Sequence, residues 1–234
     1  MTYAWNMLET FRGHCESLLE RGRVMLLRVR VSLPDRPGGL GQVARALGAL
    51  GADILQVTVL ERETGRAVDD FTVSWPGTVT ADEVRDRLSA VPGVRVEGAW
   101  PTKDIPGAAP DYDLLMHVAS EPSRGIATLV DALPGLCGAE WSLALAGDVV
   151  RHASVSAPAV FELSEPPPLR AATRAADDLR LMLLPVATHG LHVVVARAEG
   201  PHFHRAELER AARIVAVVSK LSPVLPTPIS GAGR

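Results

Sequence analysis

The sequence predicts a mixed α/β (α+β) protein built from two units, and three observations carry that prediction. Residues 25–100 run through strand and helix periodicities in the order βαββαβ. Residues 101–110, "PTKDIPGAAP", hold three prolines and no periodicity. From Asp111 the order changes to two helices, two strand pairs and a long closing helix. A change of element order across a proline-rich stretch marks a boundary between separately folding units.

The first unit can be justified element by element. Leu27, Val29 and Val31 alternate with Arg28, Arg30 and Ser32, the pattern of a half-buried strand. The turn "PDRPGG" follows. Leu40, Val43, Ala44, Leu47 and Leu50 then fall on one face of a helix, and Gly51 closes it. "DILQVTVLE" and "AVDDFTVSW" flank a turn at Gly65 and should form a hairpin. Thr80 and Glu83 make a capping box for a helix carrying Val84, Leu88 and Val91. Pro92 and Gly93 end it before the strand "VRVEGAW". Two βαβ halves of this kind give a four-stranded sheet with both helices on one face. The opposite face is expected to be bare and apolar, and therefore to pair with a second chain.

In the second unit, residues 111–221, "DYDLLMHVAS" and "SRGIATLVDALPGL" read as helices, the latter starting near Ser123. "AEWSLALAG" and "DVVRHASV" read as strands around Gly147 and Asp148, and "LRLMLLPVA" and "LHVVVARAE" as a hairpin around His189 and Gly190. Between the pairs lies an irregular segment with a short helix expected over Arg170–Ala176. The closing helix stops before Pro223, leaving residues 222–234 as a flexible tail. Residues 1–24 are an appendage with two readings: a short amphipathic helix, or a leader upstream of a start at Met25.

Composition excludes several classes. The apolar fraction of 47% and charged fraction of 22% suit a globular chain. A net charge of −3 and no helix-turn-helix pattern argue against nucleic acid. No apolar run reaches the ~18 residues of a membrane span. Two cysteines without metal spacing and no secretory signal place the chain in the cytoplasm with reduced thiols.

Candidate sites are few. The amides of Gly38, Gly39 and Leu40 stand at a helix N-terminus, where unpaired N–H groups attract an anion. Asp35 beside them is suited to an ammonium group, so the turn fits a zwitterion; it is equally a plain helix start, with Asp35 in an Asx turn. His189, His192, His202 and His204 do not make a metal site. An extended strand separates His192 from His202 by roughly 30 Å, and carboxylate or cysteine partners at ligand spacing are missing. Cys137 reads as a buried structural thiol. Asp69 and Asp70 are neighbours on a strand, point to opposite faces and form no catalytic dyad. No cofactor motif is found.

The run "LPDRPGGLGQVARALGALGADI", with its D-R-P-G-x-L turn at Asp35–Leu40 and its G-A-D-I transition at Gly51–Ile54, resembles the ACT domain. The resemblance covers Met25–Trp100 and implies a ferredoxin-like βαββαβ module that binds a small metabolite, most often an amino acid, at an intersubunit interface. It adds Asp53, where the family often has a polar ligand contact, and Ile54 to the ligand-binding set. One copy implies a homodimer between chains. The second unit resembles, more generically, a GAF domain, a sensory antiparallel-sheet module. The combined implication is a non-enzymatic allosteric sensor without cofactor or metal. Two alternatives stay open: a partner subunit that binds no ligand, and an enzyme with its site near residues 156–176.

Overall fold

In the computed structural model, which describes residues 24–76, 80–102, 109–176 and 178–223, the first strand already follows from its alternation. The appendage residues 1–23, the linker residues 103–108 and the tail residues 224–234 lie outside the described residues. The chain divides into two compact units, 24–102 with Glu199–Pro201, and 109–198 with 202–223.

The first unit runs β1 (Val24–Pro34), α1 (Gly39–Ala49), β2 (Asp53–Glu63), β3 (Arg66–Pro76), α2 (Ala81–Ser89) and β4 (Arg95–Pro101). Its sheet has the order β2-β3-β1-β4, and every pairing is antiparallel. This is the ferredoxin-like arrangement of a βαββαβ chain. Leu27, Val29, Val31, Leu33, Phe71, Val73 and Trp75 lie on one face and pack with Val43 and Leu47 of α1 and Val84 and Leu88 of α2. The Trp75 indole donates to the Leu50 carbonyl at 3.0 Å, which satisfies an otherwise orphaned end of α1. The Thr80 hydroxyl accepts from the Glu83 amide at 3.2 Å and caps α2. Thr64 and Gly65 join β2 to β3 with φ values of 52° and 75°, the paired left-handed residues of a tight hairpin.

Helix α1 starts hard against β1. A Cβ on Gly39 would lie 2.9 Å from the Pro34 carbonyl oxygen and 3.0 Å from Leu33 Cδ1. Only glycine lets the helix begin at that distance.

The other sheet face corrects the expectation of a bare apolar surface. The alternation that places Val29 and Val31 under the helices places Arg28, Arg30 and Ser32 opposite, beside Asp70 and Thr72 of β3. Arg30 and Asp70 are buried and joined by two bonds, Nε–Oδ1 at 2.7 Å and Nη2–Oδ2 at 2.8 Å. The Arg30 guanidinium lies 5.6 Å from the centroid of the Trp100 ring. The exposed large apolar residues of this unit are instead Leu40 on α1 and Val57 and Val59 on the edge strand β2.

The second unit runs α3 (Pro110–Ser120), a 3-10 turn at Pro122–Arg124, α4 (Gly125–Cys137), β5 (Trp141–Ala146), β6 (Val149–Ala153), β7 (Ala172–Ala176), β8 (Leu179–Val186), β9 (Leu191–Arg197) and α5 (Arg205–Leu221). Its antiparallel sheet has the order β6-β5-β9-β8-β7. Ala144, Met182, Leu184, Val193 and Val195 face the three helices. Leu143, Leu145, Leu181, Leu183 and Val194 face the other way and are covered by Ala157, Phe161 and Leu163. Both faces are therefore buried, which is why β8 and β9 read as continuous apolar runs.

Arg170–Ala176 does not form the expected short helix. Residues 172–176 are β7, paired from Ala172↔Leu183 to Ala176↔Leu179. Alanine favours helix, but propensity amounts to only tenths of a kcal/mol per residue, about 0–0.7, and the open edge of β8 offers a row of backbone partners that outweighs it. Deeper in, the buried Arg197 donates to the carbonyls of Cys137 and Gly138, pairs with Glu207 at 2.8 Å and lies 4.0 Å from the centroid of the Phe203 ring. Among the described residues no helix is long and apolar enough to cross a membrane.

Two stability outcomes follow from this packing. Asp70→Ala should cost about 3–5 kcal/mol in urea denaturation, because it removes the carboxylate that faces the buried Arg30 guanidinium; Arg30→Met combined with Asp70→Leu should recover most of it. A loss in Asp70→Ala below about 1 kcal/mol would mean that the pair is solvated. Gly39→Val should cost about 1–3 kcal/mol by overpacking against Pro34 and Leu33, and a melting temperature equal to wild type would contradict that contact.

Candidate ligand site at the first turn

The turn between β1 and α1 is built from the backbone outward. The Asp35 amide donates to the Gly65 carbonyl at 2.9 Å, tying the turn to the β2–β3 hairpin. Gly38 is the N-cap of α1 at φ 86°, a left-handed conformation that glycine adopts without strain. The Gly39 amide is spent inside the turn, donating to the Arg36 carbonyl at 3.1 Å. The donors left at the helix start are those of Leu40 and Gly41, which an α-helix gives no internal partner. No acidic residue stands in the first turn of α1, so nothing there competes with an incoming anion.

Asp35 does not make an Asx turn. Its carboxylate is held by Arg62 of β2, with Nε–Oδ2 at 3.2 Å and Nη2–Oδ1 at 2.8 Å. The bond to Asp35 pushes the Arg62 guanidinium further toward its charged form. Arg66 braces the same end of the sheet, donating to the Ser32 hydroxyl and carbonyl at 2.9 Å each and to the Gly93 carbonyl at 3.2 Å.

Asp69 enters this neighbourhood from beneath. It pairs in register with Val31 on one side and Val59 on the other, two residues before Phe71 on the helix-covered face. It is 1% exposed, and its Oδ1 has no hydrogen-bond partner. Burial pushes its carboxyl pKa up; the negative charge of Asp35 adds to this, and Arg62 opposes it. Neither Arg62 nor Asp69 belongs to the turn motif that marks the site in the sequence. The signal was present in the hairpin: setting β2 against β3 around Gly65 brings Arg62 beside the turn, and strand alternation turns Asp69 toward the helices.

Asp53 and Ile54 stand elsewhere. Asp53 pairs with Ser74, which pairs with Leu26, eight residues before Pro34 along β1. That is about 26 Å at strand rise. Because α1 carries the chain back across the sheet, the residues that follow it begin at the end opposite the turn. Asp53 is exposed there, and Ile54 packs against the core of the unit. Within one chain the fold does not bring these two residues to Asp35, Gly38, Gly39 and Leu40.

The second unit holds a groove of about 310 Å³ lined by Leu145, Asp148, Phe161, Leu163, Glu165 and Pro166, among others. Cys137 is buried, and burial drives its thiol pKa up to about 12, which keeps it protonated and a poor nucleophile. His152 pairs with Asp131 at 2.9 Å, and His204 caps α5, its Nδ1 accepting from the Ala206 amide at 3.2 Å. Among the described residues no cluster of three or more His, Cys, Asp or Glu is arranged to hold a metal.

Comparison with known proteins bears on the first unit. Residues 27–93 match the ACT domain family. No curated protein matches the chain. Among solved structures, an unknown protein from Galdieria sulphuraria aligns at 11% identity and a TM-score of 0.30, covering 84% of this chain and 92% of that one. A formyltetrahydrofolate deformylase from Pseudomonas putida KT2440 aligns at 16% identity and a TM-score of 0.28, covering 41% of this chain and 38% of that one. Both overlaps are loose. The β2-β3-β1-β4 sheet, the glycine-capped turn and the family match agree, and residues 27–93 are an ACT domain, a regulatory module of the kind that binds small molecules.

Proposed function

We propose that this protein is a cytoplasmic sensor that binds an amino acid beside the β1–α1 turn and transmits the binding through a dimer of its ACT domains. The observation that carries the reading is the turn itself: two free helix-start amides beside a carboxylate-rich strand end, inside a domain of the small-molecule-binding class. The dimer contact is placed on the edge strand β2. That strand has an open backbone edge and carries Val57 and Val59, 42% and 49% exposed. Across such a contact, Asp53 and Ile54 of one chain have a route to a ligand held by the other. The protein acts as a regulator and not as a catalyst.

The second unit is read as GAF-like, a sensory domain with its own pocket. The support is a sheet with helices on one face and, on the other, an irregular cover that leaves the 310 Å³ groove. Three acidic side chains in that lining, Asp148, Glu162 and Glu165, favour a ligand with hydrogen-bond donors.

A thermal-shift screen of the full chain against amino acids, nucleobases and nucleotides tests the binding reading. A true ligand at 100 times its dissociation constant stabilises the fold by about 2.7 kcal/mol. Absence of any shift would favour a ligand-free partner subunit, and turnover of a hit would favour an enzyme. For assembly, sedimentation should give a dimer, and Val57→Lys with Val59→Lys should give a monomer. A wild type that stays monomeric at high micromolar concentration would remove the dimer from the mechanism.

A further inference from the structure

We propose that Glu199–Pro201 is a clasp that docks on Trp100 of the first sheet and ties the order of that sheet to the order of α4 and α5. Two glycines far apart in sequence carry the inference. Gly98 stands on β4, opposite Arg30 of β1. A Cβ there would lie 2.9 Å from Pro201 Cδ and 3.3 Å from Trp100 Cζ3. Gly200 has a φ of 88°, and a Cβ on it would lie 3.4 Å from both Cγ and Cδ2 of the Trp100 indole. Residue 200 thus lies against the indole, and the Pro201 ring fills the space that a side chain at 98 would need. Both glycines answer to one contact.

The contact belongs to the first unit, which includes Glu199–Pro201 although these residues follow β9 in the chain. It covers part of the polar side of the sheet. Trp100 is buried, and the guanidinium of the buried Arg30 lies 5.6 Å from its ring centroid. Proline suits the docking position, because its φ is fixed and it has no amide hydrogen to satisfy.

The clasp is anchored immediately on either side. Before it, the Ala198 amide donates to the Glu140 carboxylate at 2.7 Å, and the Ala198 carbonyl accepts from Arg180. After it, the buried Phe203 packs against the Arg197 guanidinium, and the His204 amide donates to Glu207 at 2.7 Å in the box that starts α5. Arg197 also holds the carbonyls that end α4. Only residues 199–202 separate these anchors. A displacement at Trp100 therefore reaches both of them through a short packed and hydrogen-bonded segment, with little loop to absorb it. This route lies within one chain. It needs neither a ligand nor a dimer in order to exist, so it stands apart from the reading of the β1–α1 turn.

Hydrogen exchange of the full chain, read by mass spectrometry on peptides, tests the clasp. Pro201→Ala removes the ring that Gly98 faces. It should speed exchange at least threefold in β4 and β1, and also in α5 and the end of α4. Faster exchange in β4 and β1 alone would overturn the coupling, and faster exchange in α4 and α5 alone, or in neither, would overturn the docking. Coupling of this kind is reciprocal. Glu140→Gln, which weakens the anchor at Ala198, should therefore speed exchange in β4 at least twofold; a change confined to the second unit would count against the proposal. A double-mutant cycle checks the contact itself. Gly98→Ala should lower the melting temperature, and adding Pro201→Ala should restore at least half of that loss, since the ring met by the new methyl is gone. Additive losses would mean that the two residues do not meet. If Gly98→Ala fails to fold, the exchange pattern of Pro201→Ala decides alone.

Discussion

Arg30 and Asp70 are charges buried on neighbouring strands, and their two hydrogen bonds offset much of the cost of taking both out of water. That pairing sets the register of β1 against β3. A slip of one residue would break both hydrogen bonds and turn every apolar side chain of β1 to the wrong face. It also has a consequence one residue away. Since Asp70 must meet Arg30 on one face, Asp69 must point to the other, into the layer covered by the helices. The unpartnered carboxyl at the candidate site is thus imposed by the pair that holds the sheet in register.

The turn obeys a second constraint of the same kind. Glycine at 39 is demanded by the Pro34 carbonyl and the Leu33 side chain, and glycine at 38 by the left-handed N-cap. Both are reasons of packing and backbone. They nevertheless leave a helix start without a side-chain cap and without an acidic first turn. A helix begun in this way keeps its leading amides available, so a structural requirement and a binding surface coincide in one stretch of chain.

Much of this architecture was legible in the residues. Period-two and period-3.6 apolar patterns located β1, α1 and α2, and Gly65 located the hairpin, because each is a local rule. Two features were not local. Strand β7 reads as an alanine-rich helix until β8 is beside it, since its pairing partner lies beyond the next turn. The polar face of the first sheet is written in Arg28, Arg30 and Ser32, whereas the expectation of an apolar face follows from layer geometry alone and ignores those side chains. At the site, the glycines and Asp35 stood out as a motif, whereas Arg62 and Asp69 required the register of β2 and β3 to be known. Asp53 and Ile54 follow a glycine turn of their own, and only the path of α1 shows which end of the sheet they occupy.

Arg197 carries a consequence for how the chain is made. It closes the C-terminal carbonyls of α4 at Cys137 and Gly138 and reaches Glu207 in α5, so its bonds span about sixty residues. When α4 leaves the ribosome, neither Arg197 nor the strands that cover its apolar face have yet been synthesised. The helix must wait, with Leu129, Leu133 and Leu136 uncovered, until β9 and α5 emerge. Completion of the second unit is therefore a late event in synthesis, governed by the closing of long loops, and the interval before it is when that unit is most open to association with other nascent chains.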